Sequence, residues 1–237
     1  MASPSPLLYN TYYHIYNRGV NGENIFVEER NYELFLRLYE KHLSPVTDLF
    51  AYCMLRNHFH ISVRVKAEEE ILETKKSLKE TLMVSAPILK HNTQSPSTIH
   101  EKHLVQRRPL GSGSLGPRYV STQFSNFFNA YAKTINKAYG RTGSLFEHPF
   151  ERVPITSERQ FWNVIAYIHQ NPQKHGFVKD FRDWKYSSYG IILTGKRTVI
   201  KRDAVMKWFG SKDEYLSLHN QWVTDAQAKW FMESDLD

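Results

Sequence analysis

The chain has 237 residues, of which 41% are hydrophobic and 14% aromatic, a composition that excludes a disordered chain and fits one sizeable core, with or without a long insertion or tail. Its formal net charge of +7 and pI near 9.3 make a polyanion a natural partner. The single cysteine, Cys53, excludes an internal disulfide and a cysteine-based zinc cluster. Neither a signal peptide nor an apolar run of the roughly 20 residues that span a bilayer is visible, so the sequence predicts a soluble, cytoplasmic protein.

The first part of the chain is predicted to run strand, helix, strand, strand. Aromatic and β-branched residues predict a strand over 12–18. Apolar residues at helical spacing predict a helix from Glu29 to Leu43. The unbroken apolar run 49–55 is typical of a central strand, and the alternating pattern from His58 to Val65 predicts a second strand that forms a hairpin with it.

The middle of the chain changes in composition. Residues 66–117 begin with a charged, helix-prone stretch and continue into segments rich in Ser, Pro and Gly, which predicts a flexible insertion. An amphipathic helix is then predicted over 118–139, with Gly140 at its C-cap. Leu145 to Val153 is predicted to form a strand that is closed by Pro154.

A last helix of the domain is predicted to open at Ser157 and to end at Asn171, because Pro172 disfavours helical geometry in the residue before it. The resulting order of elements is typical of a ferredoxin-like α+β fold, an antiparallel sheet with helices packed on it. We expect this domain to cover residues 8–175. Residues 176–237 are predicted to form a C-terminal extension with weak helices near 203–209 and 212–220.

Two histidines stand two residues apart in the predicted strand that begins at His58. Because side chains alternate across a strand, His58 and His60 should point to one face and Phe59 to the other. Such a pair can begin a metal site, but it can also be a strand face that happens to carry two histidines.

Tyr167 lies off the apolar stripe of the last helix, in line with Asn163 and Asn171 one turn away on either side. A tyrosine between two amides is not simply filling the core, although half-exposed tyrosines with a structural role are common. The helix alone therefore leaves both interpretations open.

Five segments in the same order resemble a known family. Residues 51–60, with the sequence AYCMLRNHFH, resemble the second and third strands of REP-associated tyrosine transposases, which use one tyrosine and an HUH metal motif (two histidines around a hydrophobic residue). Further similar segments are Arg18-Gly19-Val20 with Ile25-Phe26, 141–146, 167–172 and 184–189. The likeness covers most of residues 10–190, and five motifs in order are far more specific than any one of them.

The resemblance implies cleavage and strand transfer of single-stranded DNA. By it, His58, His60 and Asn171 hold a divalent metal, for which the mixed imidazole and amide ligands favour Mg²⁺ or Mn²⁺. Tyr167 would be the nucleophile, forming a 5′-phosphotyrosine and a free 3′-OH. The implied partner is single-stranded DNA with a REP-like hairpin. The basic residues predicted to contact DNA are Arg18, Arg118, Lys133, Lys137 and Arg141.

Two other functions remain open from the sequence. A non-catalytic, domesticated protein could bind hairpin DNA with the same fold, but it would need neither the histidines nor the tyrosine. A metal-dependent nuclease could use the histidines to activate water, and it would form no covalent adduct. The oligomeric state also stays open, because relatives include both monomers and homodimers.

Overall fold

The computed structural model describes residues 6–84, 114–116 and 118–223. Its sheet has four strands: β1 Tyr12–Arg18, β2 Thr47–Met54, β3 His58–Val65 and β4 Glu151–Ile155. They lie in the order β2-β3-β1-β4, and all neighbours are antiparallel. The α+β ferredoxin-like fold class predicted from the sequence is thus confirmed.

Seven α-helices are assigned in the described residues. They are α1 Glu29–His42, α2 Glu68–Val84, α3 Tyr119–Tyr139, α4 Glu158–Lys174, α5 Tyr189–Ile192, α6 Arg202–Phe209 and α7 Lys212–Asn220. The predicted insertion therefore begins with a helix, α2. Residues 85–113 and 117 of that prediction lie outside the described residues.

Both faces of the sheet are covered by helices, which is why β2 is buried along its whole length. On one face, Phe59 of β3 packs against Phe35 of α1 and Phe128 of α3, with ring centroids 4.8 and 5.9 Å away. On the other face, Phe161 of α4 packs against Tyr12 of β1 at 5.8 Å. A buried phenylalanine such as Phe59 typically contributes about 3–5 kcal/mol to stability.

The predicted helix ends are confirmed at two places. Gly140 follows α3 with a φ of +61°, a left-handed conformation in which a residue with a Cβ is strained. Ser157 precedes α4, and its hydroxyl oxygen accepts a hydrogen bond from the backbone N–H of Gln160. These caps fix where α3 stops and where α4 starts.

The predicted strand Leu145–Val153 is wrong in its bounds, because β4 is Glu151–Ile155. Upstream of it the chain makes only one isolated bridge, between Gly19 and Phe146, and Pro149 has no N–H to extend a ladder. Pro154, expected to close the strand, lies inside it. It is tolerated because β4 is an edge strand that needs donors on one side only.

The predicted end of the last helix at Asn171 is also wrong, since α4 continues through Pro172 to Lys174. Proline cannot donate the usual backbone hydrogen bond at this position. The turn is instead held by the side-chain amide of Asn171, which donates to the Tyr167 carbonyl oxygen at 2.7 Å, and by the burial of Pro172 itself. Tertiary packing overrides the local preference.

The C-terminal helices form close to the places predicted from the sequence, as α6 and α7. Val205 of α6 and Tyr215 of α7 are completely buried. The connecting segments bridge to the sheet, where Ser187 pairs with Cys53 and Ile200 with Leu49. Residues 176–223 thus pack on the same core as the strands. None of the described helices is both long and apolar enough to cross a membrane.

Candidate active site

A groove of about 600 Å³ opens where the ends of β1 and β3 meet the C-terminal half of α4. Its walls include Tyr16, Arg18, His58, His60, Tyr167 and Phe177. The groove thus combines the histidine pair and the tyrosine that the sequence predicted as functional, together with one of the predicted basic residues.

The histidine pair lies on the α4 face of the sheet, as the alternation of side chains predicted, and the two rings are 5.2 Å apart. Nδ1 of His58 is 2.8 Å from the side-chain oxygen of Asn57. Nδ1 of His60 is 3.0 Å from Nε2 of His14, a residue of β1. In both rings Nε2 is therefore the nitrogen left to bind a ligand.

The surroundings keep both imidazoles neutral. Burial, followed by the charges of His175 and Arg18, lowers the pKa of His58 to about 4. The pKa of His60 is held well below its usual value, first by burial and then by electrostatic interactions with the neighbouring titratable groups, of which His14 is the largest. Neutral imidazole is the form that binds metals, so the protonation state suits that role.

Tyr167 projects from α4 towards the histidines and is half-buried. Its ring meets those of His60 and His14 edge-on, with centroid distances of 5.8 and 5.9 Å. The ammonium nitrogen of Lys174 lies 4.6 Å from the centre of the same ring. A positive charge at this distance from the ring is attracted to the face of the aromatic system.

Asn171 is completely buried one turn after Tyr167. Its Oδ1 atom has no hydrogen-bond partner in the described part of the chain, whereas its amide donates to the Tyr167 carbonyl. No cluster of three or more His, Cys, Asp or Glu side chains in that part is placed to hold a metal. Asn171 is not among the residues that line the groove, whereas His58 and His60 are. Neutral imidazoles and an amide oxygen are ligand types that suit Mg²⁺ or Mn²⁺.

Sequence reasoning missed several residues at this site. They are His14, Lys174 and His175, none of which the sequence motifs mark as part of the site. The ring of His175 lies 4.8 Å from that of His58. Alternation along β1 places His14 on the same face as Tyr12 and Tyr16, but it does not show that this face also carries His60.

Of the basic residues predicted to contact DNA, only Arg18 lines the groove. It is exposed and forms an ion pair of 2.7 Å with Glu147. Arg141 is paired with Glu23. Arg118, Lys133 and Lys137 are exposed at or on α3, and the structure does not bring them to the groove because α3 packs on the opposite face of the sheet.

Two histidines on a central strand and a tyrosine on a facing helix, over a four-stranded antiparallel sheet, form the arrangement that the motifs implied. A protein of Haemophilus influenzae named as a candidate REP-associated tyrosine transposase is 30% identical over 92 residues, which are 37% of this chain and 52% of that relative. The match thus spans about half the length of the relative. No family model matches the chain.

The fold has a solved counterpart. The structure of a REP-associated tyrosine transposase bound to a REP hairpin superposes with a TM-score of 0.50 and 11% identity, covering 84% of this chain and 89% of that one. The similarity to REP-associated tyrosine transposases that the sequence motifs indicated is therefore confirmed, by a relative in sequence and by a counterpart in fold.

Proposed function

We propose that this protein cleaves and rejoins single-stranded DNA beside a hairpin, through a 5′-phosphotyrosine formed on Tyr167. The observation that carries the proposal is the meeting of Tyr167 with His58 and His60 in one groove, although they come from different elements. A tyrosine with a purely structural role does not require two neutral histidines beside it. Two histidines that lie on a strand face by chance do not require a tyrosine on the facing helix.

The chemistry asked of Tyr167 is a transesterification. Its phenolic oxygen forms a bond to phosphorus while the bond from phosphorus to the 3′ oxygen breaks. The phenol loses a proton, and the departing 3′ oxygen gains one. A second 3′-OH can then attack the phosphotyrosine and release the phenol, so that a strand is rejoined without an external energy source. Lys174, with its ammonium nitrogen 4.6 Å from the centre of the Tyr167 ring, would supply positive charge close to the phenol as negative charge develops on its oxygen.

A divalent cation would be held by Nε2 of His58 and of His60 and by Oδ1 of Asn171. When bound, it would neutralise charge on the scissile phosphate and orient it for in-line attack. The chain prepares this site by keeping the imidazoles unprotonated and by leaving a buried amide oxygen without a partner in the described residues.

The groove also has means of holding an unpaired strand. Tyr16 and Phe177 offer half-buried aromatic faces, and stacking of a base on such a face typically contributes about 1–3 kcal/mol. Arg18 offers a positive charge at the groove edge. The solved counterpart is bound to a REP hairpin, which supports hairpin-containing DNA as the substrate of this chain.

The test is a denaturing gel with one hairpin oligonucleotide prepared in two versions, labelled at the 5′ end or at the 3′ end, in the presence of Mn²⁺. A 5′-phosphotyrosine leaves the 3′-labelled fragment attached to the protein and releases the 5′-labelled fragment as free DNA. The opposite pattern would contradict the proposed polarity. Short fragments with no attached protein would favour a nuclease that activates water. Uncut DNA on the gel, together with binding of the same oligonucleotide measured by fluorescence anisotropy, would favour a hairpin-binding protein.

Arg18 is expected to contribute one phosphate contact. Arg18→Ala should weaken binding of a hairpin oligonucleotide and reduce the slope of log affinity against log salt concentration by about 0.7, the value for one phosphate of a single strand. Fluorescence anisotropy at several salt concentrations measures this slope. Lys133→Ala removes the same charge from the opposite face and should leave the slope unchanged. An equal change in both variants would instead support the sequence-based prediction that α3 contacts DNA.

A further inference from the structure

His14 is a buried histidine that the proposed chemistry does not use directly. It lies in the centre of β1, is 1% exposed and stacks on His60 with ring centroids 5.2 Å apart. Its Nε2 atom is 3.0 Å from Nδ1 of His60. The other nitrogen of His14, Nδ1, is buried and has no hydrogen-bond partner among residues 6–84, 114–116 and 118–223. A buried polar atom without a hydrogen bond costs free energy of folding, so a histidine at this position is expected to have a role.

A hydrogen bond between two neutral imidazoles contains one proton, which can belong to either ring. If His14 donates it, His60 carries its own proton on Nε2, and that nitrogen has no lone pair for a metal. If His60 donates from Nδ1, its Nε2 keeps a free lone pair. Only the second arrangement makes His60 a ligand, and it requires His14 to remain neutral and to accept at Nε2.

The protein favours the neutral form of His14. His14 is buried, which disfavours a charged imidazole, and a neutral ring carries a single proton on one of its two nitrogens. When that proton is on Nδ1, Nε2 is the acceptor that His60 needs. Ring contacts with Tyr16 and Tyr167, at 5.1 and 5.9 Å, hold the imidazole in place.

We infer that His14 is a positioning residue that fixes the tautomer of His60 by accepting a hydrogen bond from its Nδ1, so that Nε2 of His60 is free to bind a divalent cation. This inference rests on the proposed function, which makes His60 a metal ligand. Partners of this kind usually are carboxylates, backbone carbonyls or water, and their loss costs about 10–100-fold in metal affinity. Here an imidazole from the neighbouring strand fills that role.

The experiment measures Mn²⁺ affinity of the full-length protein by the loss of the free-ion electron paramagnetic resonance signal. His14→Phe keeps an aromatic ring but has no acceptor, and it should weaken Mn²⁺ binding about 10–100-fold. His14→Gln offers a carbonyl oxygen as an acceptor and should restore an affinity close to that of the wild type. Thermal unfolding of each variant shows whether the fold is kept.

Nitrogen NMR of the histidine rings, with Mg²⁺ as a diamagnetic probe, gives a second measurement that does not depend on the variants. In the wild type, His60 should carry its proton on Nδ1 and none on Nε2, and in His14→Phe this preference should be lost. A proton on Nε2 of His60 in the wild type would overturn the inference, even if His14→Phe did not fold.

His60→Ala distinguishes a failure of the role of His14 from a failure of the proposed metal site. If His60→Ala loses Mn²⁺ binding and a folded His14→Phe does not, the metal site stands and the role of His14 is overturned. If neither variant differs from the wild type, or the wild type does not bind Mn²⁺, both the role of His14 and the proposed metal site are overturned. Loss in both variants, with rescue by His14→Gln, supports the inference.

Discussion

Replacing Tyr167 by phenylalanine is expected to abolish the covalent DNA adduct and to reduce strand cleavage by at least about 10³-fold, while binding of hairpin DNA stays as in the wild type. The change removes one oxygen atom, the proposed nucleophile, and loss of a nucleophile costs an enzyme this much or more. The ring that packs against His60 and Lys174 remains, so the groove should keep its shape. Cleavage is measured under single-turnover conditions on a denaturing gel, and binding by anisotropy.

Tyr16→Phe is the matched control. Tyr16 lines the same groove, is also half-buried, and stacks on His60 with ring centroids 5.4 Å apart. Loss of its hydroxyl should leave adduct formation close to that of the wild type. If Tyr167→Phe still cuts DNA at a wild-type rate, Tyr167 is not the nucleophile and the histidines act on water. If Tyr16→Phe is as inactive as Tyr167→Phe, the loss cannot be assigned to the Tyr167 hydroxyl alone.

The local part of this site could be predicted from the sequence because it depends on periodicity. Alternation along a strand is enough to place His58 and His60 on one face with Phe59 on the other. Helical spacing is enough to place Tyr167 and Asn171 one turn apart. Neither pattern, however, says that the strand and the helix face each other. Their proximity was implied by the resemblance to a family, and the structure shows the contact between Tyr167 and His60.

The contribution of His14 could not be predicted in the same way, because it depends on strand register. β1 pairs with β3 so that Tyr16 is opposite His60, and His14 opposite Ser62. A shift of one residue would point His14 to the other face. The predicted ends of β4 and α4 were wrong for a related reason. The effect of each proline was inferred from its neighbours in the sequence, whereas tertiary structure tolerates Pro154 at a sheet edge and Pro172 in a buried helix.

The division of the chain into a domain over 8–175 and an extension over 176–237 stays a prediction. The sequence predicted an extension with weak helices near 203–209 and 212–220. In the structure, α7 is hydrogen-bonded to the helix that carries Tyr167: Gln170 donates to the carbonyl oxygens of His219 and Gln221, and it accepts from the backbone N–H of Val223. The C-terminal segment up to residue 223 therefore helps to hold the nucleophile helix in position.

A pair of buried histidines lies at this junction and should make the protein sensitive to acid. Nδ1 of His169 on α4 is 2.8 Å from Nε2 of His219 on α7, and Nδ1 of His219 is 2.7 Å from the carbonyl oxygen of Tyr215. Burial lowers the pKa of His219 to about 4, against the stabilising effect of the Tyr215 carbonyl on the charged form. The pKa of His169 is also held well below its usual value, first by burial and then by His219.

His219→Gln should therefore reverse the order of stability between neutral and acidic pH. Because the folded pKa of His219 lies below the unfolded value of about 6.5, the unfolded chain takes up the proton first as the pH falls. The free energy of unfolding of the wild type is then fully retained above about pH 6.5 and loses about 3 kcal/mol between pH 6.5 and 4 through this residue. Glutamine does not titrate, so the variant escapes that loss. At pH 7.5, however, it should be less stable by about 1 kcal/mol because the hydrogen bonds of His219 are replaced imperfectly.

Guanidinium unfolding at a series of pH values from 7.5 to 4 measures this difference. Titration of groups away from the junction cancels between the two proteins, whereas His169, in contact with His219, contributes to the difference. His42→Gln, at the end of α1, is the control. Burial and Lys41 also lower the pKa of the half-buried His42, so this variant should diverge from the wild type in the same direction but by less than His219→Gln. Parallel curves for His219→Gln and the wild type would mean that the folded protein accommodates a charged His219. Crossing curves would mean that the contact between α4 and α7 depends on neutral histidines.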